Sequence, residues 1–265
     1  MKIIAVIPAR YKSSRFPGKP LVDICGKPMI WWVYQQALKV EEFSEVYVAT
    51  DDERIKEVCD QLSMNVVMTS SEHPTGTDRV AEVAQKIFAD FYVIIMGDEP
   101  MLTARDEKLL VDKIKTSPDA DAFMLVEEFE FPVDVVNTTT IKLALNDDGE
   151  LIFMSRMPIP YPKAALGFHY YKNVGCYAMK KTALDFFMNN APSNVERAEE
   201  IELLRLLERH KIIKTVAIDT HPMSVDTLKD LERVREYFIN NKTFTGGYEN
   251  LNRLRSPIML LENVA

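Results

Sequence analysis

Two kinds of charged residue in this chain stand where they can handle a polyphosphate. Four cations, Arg10, Lys12, Arg15 and Lys19, fall within ten positions of one another in the segment IPARYKSSRFPGKPL. Guanidinium forks and ammonium groups neutralise phosphate oxygens, and Ser13, Ser14, Gly18 and nearby backbone amides add hydrogen bonds around them. The segment lacks both G-x-x-x-x-G-K-S/T and G-x-G-x-x-G, so it is neither a Walker A loop nor a dinucleotide fingerprint. The second kind is acidic: Asp98 in Gly97-Asp98-Glu99-Pro100 and Asp226 in Val225-Asp226-Thr227. Taken alone, Asp98 reads equally well as the cap of a strand-end turn, and Asp226 more readily as a helix N-cap. Beside a polyphosphate loop the two have a joint use, as hard oxygen ligands for Mg2+ that leave positions for phosphate and water.

Such residues need a scaffold that delivers them to one place. Residues 3–7 are a short apolar run suited to a strand buried on both faces, and Pro8 is expected to end it, sending the basic segment out at the carboxyl edge of a sheet. Open α/β sheets bind ligands at that edge. Further strands are expected at 46–49, 66–68, 92–96 and 122–128, with helices at 29–39, 53–62, 78–88 and 104–115 between them. This alternation predicts an α/β, Rossmann-like fold with a mainly parallel sheet flanked by helices. The rhythm changes afterwards. Segments 141–145 and 151–154 flank Asn146-Asp147-Asp148-Gly149, a strong hairpin turn, and the proline string 157–162 must be extended. A smaller mixed β subdomain at about 130–200 is expected there, followed by helices at 184–189, 197–209 and 226–240.

Composition excludes several classes of function. With 265 residues and 47% hydrophobic side chains, the chain can bury a substantial core as one large domain or a domain with a subdomain. A net charge of -8 argues against nucleic acid as a partner, and makes the basic cluster near the N-terminus more telling. Cys25, Cys59 and Cys176 have no metal-type spacing and suit reduced thiols in the cytoplasm. The early apolar segment is too short for a signal peptide, and no run approaches the ~20 apolar residues of a membrane span. A soluble, cytoplasmic protein is therefore expected.

The opening segment, continued by Gly26-Lys27-Pro28-Met29, resembles that of the sugar-acid cytidylyltransferases, nearest their 3-deoxy-manno-octulosonate (Kdo) branch. Other pieces recur in the family's order: Ala49-Thr50-Asp51, His73-Pro74-Thr75-Gly76-Thr77-Asp78-Arg79, Gly97-Asp98-Glu99-Pro100, Phe153-Met154-Ser155-Arg156, Gly175-Cys176-Tyr177 and Val225-Asp226-Thr227. The resemblance spans nearly everything to about residue 238. It implies a nucleotidyltransferase domain at 1–240, with the 130–200 subdomain serving acceptor and dimer contacts and 241–265 forming a C-terminal extension. The implied activity is transfer of CMP from CTP to an acidic sugar with Mg2+ and release of pyrophosphate, for surface-glycan synthesis, in a homodimer. The residues it implies for the nucleotide are Pro8, Ala9, Arg10, Ser13, Ser14, Arg15, Lys19, Thr75, Gly76, Thr77 and Arg79. It makes Arg10, Lys19, Asp98 and Asp226 catalytic, with the two aspartates holding the metal. Residues 75–79 also fit an N-capped helix start, and His73 alone reads as a loop histidine.

For the acceptor the resemblance implies Arg156, Tyr177 and Glu202. Arg156 is suited to clamp a carboxylate, whereas Tyr177 reads equally well as a strand core aromatic and Glu202 as a solvated helix face. Here the chain departs from the family's pattern, with Met96, Asn173, Met179 and Leu203 in place of glutamine, histidine, tyrosine and glutamine. Losing an amide beside a buried sugar hydroxyl costs about 1–3 kcal/mol. These changes favour an acceptor with fewer hydroxyls, or one carrying an amino, acyl or deoxy group. Alternatives are a phosphonate acceptor, or a nucleotide-binding module without catalysis; a glycosyltransferase would need a paired D-x-D strand end, which Gly97-Asp98-Glu99-Pro100 is not. Trp31, Trp32 and Tyr34 read as core packing in an apolar helix. The tail ends in apolar Ile258-Met259-Leu260-Leu261 and invites a packing or interface role.

Overall fold

The computed structural model describes residues 1–12, 16–164 and 167–241. Strand β1 (Ile3–Ala9) is followed by a small hairpin, β2 (Asp23–Ile24) and β3 (Lys27–Pro28), then by α1 (Met29–Ala37), β4 (Glu45–Thr50), α2 (Glu53–Gln61), β5 (Val66–Met68), α3 (Gly76–Lys86), β6 (Phe91–Ile95), α4 (Ala104–Thr116) and β7 (Ala122–Glu128). A hairpin of β8 (Lys142–Leu145) and β9 (Leu151–Ser155) leads to β10 (Tyr171–Lys180), α5 (Lys181–Asn189), α6 (Asn194–Glu199), α7 (Leu204–Leu207), β11 (Ile213–Ile218) and α8 (Leu228–Asn240). The main sheet runs β11-β7-β10-β6-β1-β4-β5, with β8 pairing β10 and β9. Pairs β6-β1-β4-β5 and β11-β7 are parallel, while β10 runs antiparallel to β6, β7 and β8.

Every residue of β1 and β6 is buried, as strands covered on both faces require. One face packs against α1, α4 and α8, where Ile3, Ile7, Trp32, Phe91, Leu110 and Phe238 meet. The other packs against α3, α5 and α7 through Ile4, Val6, Val80, Ile94, Leu184 and Leu204. Trp31, Trp32 and Tyr34 are core residues, as their helix pattern predicts: Trp32 donates to the Ile24 carbonyl at 2.8 Å and its ring lies 4.8 Å from that of Phe238. No helix among the described residues is long and apolar enough to cross a membrane.

Three expectations about elements need correction. Pro8 does not end β1, which continues to Ala9 through the pairs Pro8↔Ala49 and Ala9↔Thr50. The Ile3 carbonyl accepts from Ser44 on the β4 side and the Lys2 carbonyl from Phe91 on the β6 side. By strand alternation Pro8 faces the β6 side, where pairing has already ended at Val6↔Ile94, so its missing N–H breaks no ladder bond. The helix expected at 197–209 is two short ones, because Glu200 turns left-handed at φ 54. The helix expected from 226 starts at Leu228: Thr227 is its N-cap, exchanging hydrogen bonds with Asp230, so Asp226 precedes the helix and its amide donates to Asp230 at 3.2 Å. The bounds of β10 and β11 come from the structure; Gly175 and a register shift between Asn173 and Tyr177 interrupt the period-2 pattern of β10.

Candidate active site

The carboxyl ends of β1 and β6 and the N-terminus of α3 enclose a cavity of about 300 Å3. Pro8, Ala9 and Arg10 reach it from the end of β1, and Lys19 from the turn that follows Gly18. Thr75, Gly76 and Arg79 line it from the start of α3, Asp98 from the turn after β6, Asp226 from the loop before α8, and Glu202 from the α6–α7 segment. Ten of the residues expected to bind nucleotide, metal or acceptor thus converge. Ser13, Ser14 and Arg15 lie outside the described residues, as does the extension from residue 242 onward.

Lys19 is the centre of the acidic side. Its ammonium lies 2.6 Å from Asp98 Oδ2 and 3.4 Å from Asp226 Oδ1, joining three residues from three distant parts of the chain. The two turns are also tied through the backbone, since the Val225 amide donates to the Asp98 carbonyl at 2.9 Å. Among the described residues no three His, Cys, Asp or Glu side chains gather into a metal cluster. A pair of carboxylates is nonetheless the donor set a hard cation such as Mg2+ uses when substrate phosphates and water complete its shell. The ammonium between them marks the place where positive charge is needed.

The α3 start supplies the cationic wall. Thr75 caps the helix, its hydroxyl accepting from the Asp78 amide at 3.2 Å, so free amides and the positive helix end face the cavity. Arg79 is 4% exposed yet lines the cavity. Its guanidinium sits 3.0 Å from Asp51 and donates to the Thr69 hydroxyl and, at 3.4 Å, to the Ser70 carbonyl. Burial works against its charge, Asp51 supports it and Arg10 repels it. Arg10 and Arg79 line the same cavity, and two guanidiniums there suit an anion.

The acceptor residues separate. Glu202 lines the cavity, and its Oε2 is buried with no hydrogen-bond partner. Burial raises its pKa; the Thr77 hydroxyl opposes the shift and Asp78 adds to it. Thr77 is buried, and its hydroxyl pairs with the Tyr177 hydroxyl at 2.8 Å. Burial, then Glu202, pushes the Tyr177 phenol well above its ordinary range. Arg156 stands apart from the cavity, with its three nitrogens donating to the carbonyls of Glu199 at 2.7 Å, Thr138 at 3.4 Å and Glu200 at 3.3 Å. Of the departures from the family's pattern, Met96 reaches the cavity, while Met179 and Leu203 are buried in the core.

Some lining residues escaped sequence reasoning. His73 is in the cavity wall, its Nε2 2.5 Å from Glu82 on α3. Burial acts to raise the Glu82 carboxyl, but Lys86, the Ser70 amide and His73 outweigh it and hold it at about 2. A glutamate nine positions after a histidine carries no sequence signal; the α3 turns bring it back. Beneath Asp98, Glu99 is buried and pushed up to about 8, by burial first and then by the Asp98 charge. Its Oε1 accepts from the Gly175 amide at 3.1 Å, at the irregular point of β10.

The model of one protein family, described as cytidylyltransferase, matches residues 4–214. This chain belongs to the cytidylyltransferase family. Its curated relatives include the 3-deoxy-manno-octulosonate cytidylyltransferase of Escherichia coli, 40% identical over 234 residues that make up 88% of this chain and 95% of the relative. The enzyme of the same name from Geobacter metallireducens is 38% identical over 251 residues, 89% of this chain and 97% of the relative. A solved structure of CMP:2-keto-3-deoxy-manno-octonic acid synthetase complexed with CTP superimposes with a TM-score of 0.87 at 39% identity, covering 91% of this chain and all of that one. The fold described above is therefore that of a cytidylyltransferase, and the chain is an enzyme of that type.

Proposed function

We propose that this cytidylyltransferase couples CMP from CTP to Kdo or a closely related 2-keto-3-deoxy sugar acid, releasing pyrophosphate. The observation that carries the reading is the Lys19 ammonium held between Asp98 and Asp226 in a cavity that Arg10 and Arg79 also line; the names of the relatives supply the substrates. In the reaction the acceptor hydroxyl oxygen forms a bond to the α-phosphorus, the bond from that phosphorus to the bridging β-oxygen breaks, and the hydroxyl proton passes to water. Arg10, Lys19 and Arg79 hold the triphosphate and offset the charge that builds on departing pyrophosphate. The α3 amides orient the phosphates or ribose, and Asp98 and Asp226 hold Mg2+. That ion supplies Lewis-acid polarisation of the phosphate and a lower pKa for the attacking hydroxyl. No protein nucleophile is required, because alignment and charge compensation lower most of the barrier.

Glu202, with its unpartnered buried oxygen, serves the acceptor as a hydrogen-bond acceptor, and Tyr177 holds Thr77 beside it. Met96 in the cavity wall favours a sugar acid modified relative to Kdo over one that needs an amide at that point. We place the enzyme in the cytoplasm, feeding surface-glycan synthesis, as a homodimer built through the 130–200 region, where Ile152, Met157 and Tyr161 are exposed. An acceptor panel of Kdo, its 8-amino analogue, other sugar acids and phosphonates, monitored by pyrophosphate release with CTP and Mg2+, tests the reading. Release is expected only with all three components present. A protein that binds CTP but turns over none of the panel is a nucleotide sensor instead.

A further inference from the structure

The geometry points to His221 as the positioning residue that sets Asp226, acting through a buried carboxylate on β7. The inference rests on the proposed role of Asp226 as a metal ligand. Asp226 is carried by an irregular segment, residues 219–227, between β11 and α8. A ligand on such a segment is only as well placed as the segment's anchors. Four are present. The Thr220 hydroxyl donates to Asp106 on α4 at 3.0 Å, His221 Nδ1 pairs with Glu127 Oε1 on β7 at 2.6 Å, the Val225 amide donates to the Asp98 carbonyl at 2.9 Å, and Thr227 caps α8.

The His221 anchor differs from the rest. Glu127 is a carboxylate whose side chain is only 4% exposed, near the carboxyl end of β7, and the Lys172 ammonium of β10 lies 3.2 Å from the same oxygen. A buried carboxylate needs such partners to stay charged, and a carboxylate only accepts, so Nδ1 of His221 carries the proton. The imidazole is itself 45% exposed, and its backbone turns left-handed at φ 49 to bring the ring inward. A strained loop residue held by a buried partner is the mark of a conformation the surroundings impose. Releasing the ring frees the segment between Thr220 and Val225, and Asp226 follows Val225 directly.

The test uses the full-length protein with His221→Asn, which tolerates the left-handed backbone but is too short to reach Glu127, and with Glu127→Gln, which keeps the shape and removes the charge. Hydrogen exchange followed by mass spectrometry, without metal, reads the segment; steady-state pyrophosphate release with CTP and Kdo, or with whichever acceptor of the panel turns over, reads the Mg2+ concentration for half-maximal rate. Both variants are expected to speed exchange across 222–227 and to raise that concentration roughly three- to tenfold, below the ~10–100-fold of a residue bonded directly to a ligand, with kcat at saturating Mg2+ little changed. Wild-type exchange and an unchanged Mg2+ response in His221→Asn overturn the inference. Asp226→Asn, measured in parallel, isolates the underlying reading: an unaltered Mg2+ response there removes Asp226 as a ligand while the exchange result still reports the tether.

Discussion

Lys19 Nζ and Asp98 Oδ2 lie 2.6 Å apart although seventy-nine positions separate them in the chain. The contact closes the cavity between the turn after β1 and the turn after β6, and brings Asp226 within 3.4 Å of the same ammonium. A cation that neutralises two carboxylates in the resting protein can release them to a metal while it turns to phosphate. Lys19→Ala should therefore lower turnover by roughly 10²–10³-fold, the scale of removing one preorganised electrostatic contact. Pyrophosphate release measures it, and a rate within threefold of wild type would exclude Lys19 from the chemistry.

Arg79 holds its position with a planar fork shared among Asp51, Thr69 and Ser70. Lysine offers a point charge and cannot reproduce that geometry. Arg79→Lys should raise the KM for CTP about tenfold with a smaller effect on kcat. An unchanged KM would mean that Arg79 is a structural ion pair and nothing more.

Gly175 has no room for a side chain: a Cβ there would stand 2.4 Å from Glu99 Oε1 and 2.7 Å from its Cγ. Gly175→Ala should destabilise the fold by about 1–3 kcal/mol through overpacking and displace Tyr177 from Thr77. Chemical denaturation of the single variants and of Gly175→Ala with Glu99→Ala forms a cycle in which the two changes should couple strongly. Additive effects would show that the clash is relieved elsewhere.

Glu107 on α4 is fully buried, and neither carboxyl oxygen has a hydrogen-bond partner. Burial, with Asp106 adding to it, raises its pKa well above the ordinary carboxylate value. Its folded pKa exceeds its unfolded one, so its contribution to stability is complete below the unfolded pKa and is lost as pH rises through the folded one. Glu107→Leu should stabilise the protein by about 1–3 kcal/mol at neutral pH, and by more at pH 9 than at pH 5. Urea denaturation at the three pH values checks this, and a destabilised variant with an unchanged pH profile would show that the carboxyl has a partner after all.

Much of the fold is legible in the residues because its signals are local. The apolar runs of β5, β6 and β7 and the capped helix start at Thr75 specify their elements by propensity and periodicity. Where the expectations failed, the deciding partner lies far along the chain. Pro8 stays in its strand because β6 has already ended beside it. β10 is hidden by Gly175, whose place is set by Glu99.

The sequence by itself determined the charged inventory of the site, the basic segment and two aspartates, along with the alternation of strands and helices that delivers Arg10 and Asp98 to one edge. Only the tertiary structure decided which of these groups meet. It sets Lys19 between Asp98 and Asp226, puts His73 in the wall against Glu82, turns Arg156 toward backbone carbonyls, and ties the Asp226 segment to Glu127 through His221. The physical reason is range: propensity acts over a few residues, whereas charge pairing and packing act over a few ångströms between positions that the chain order keeps far apart.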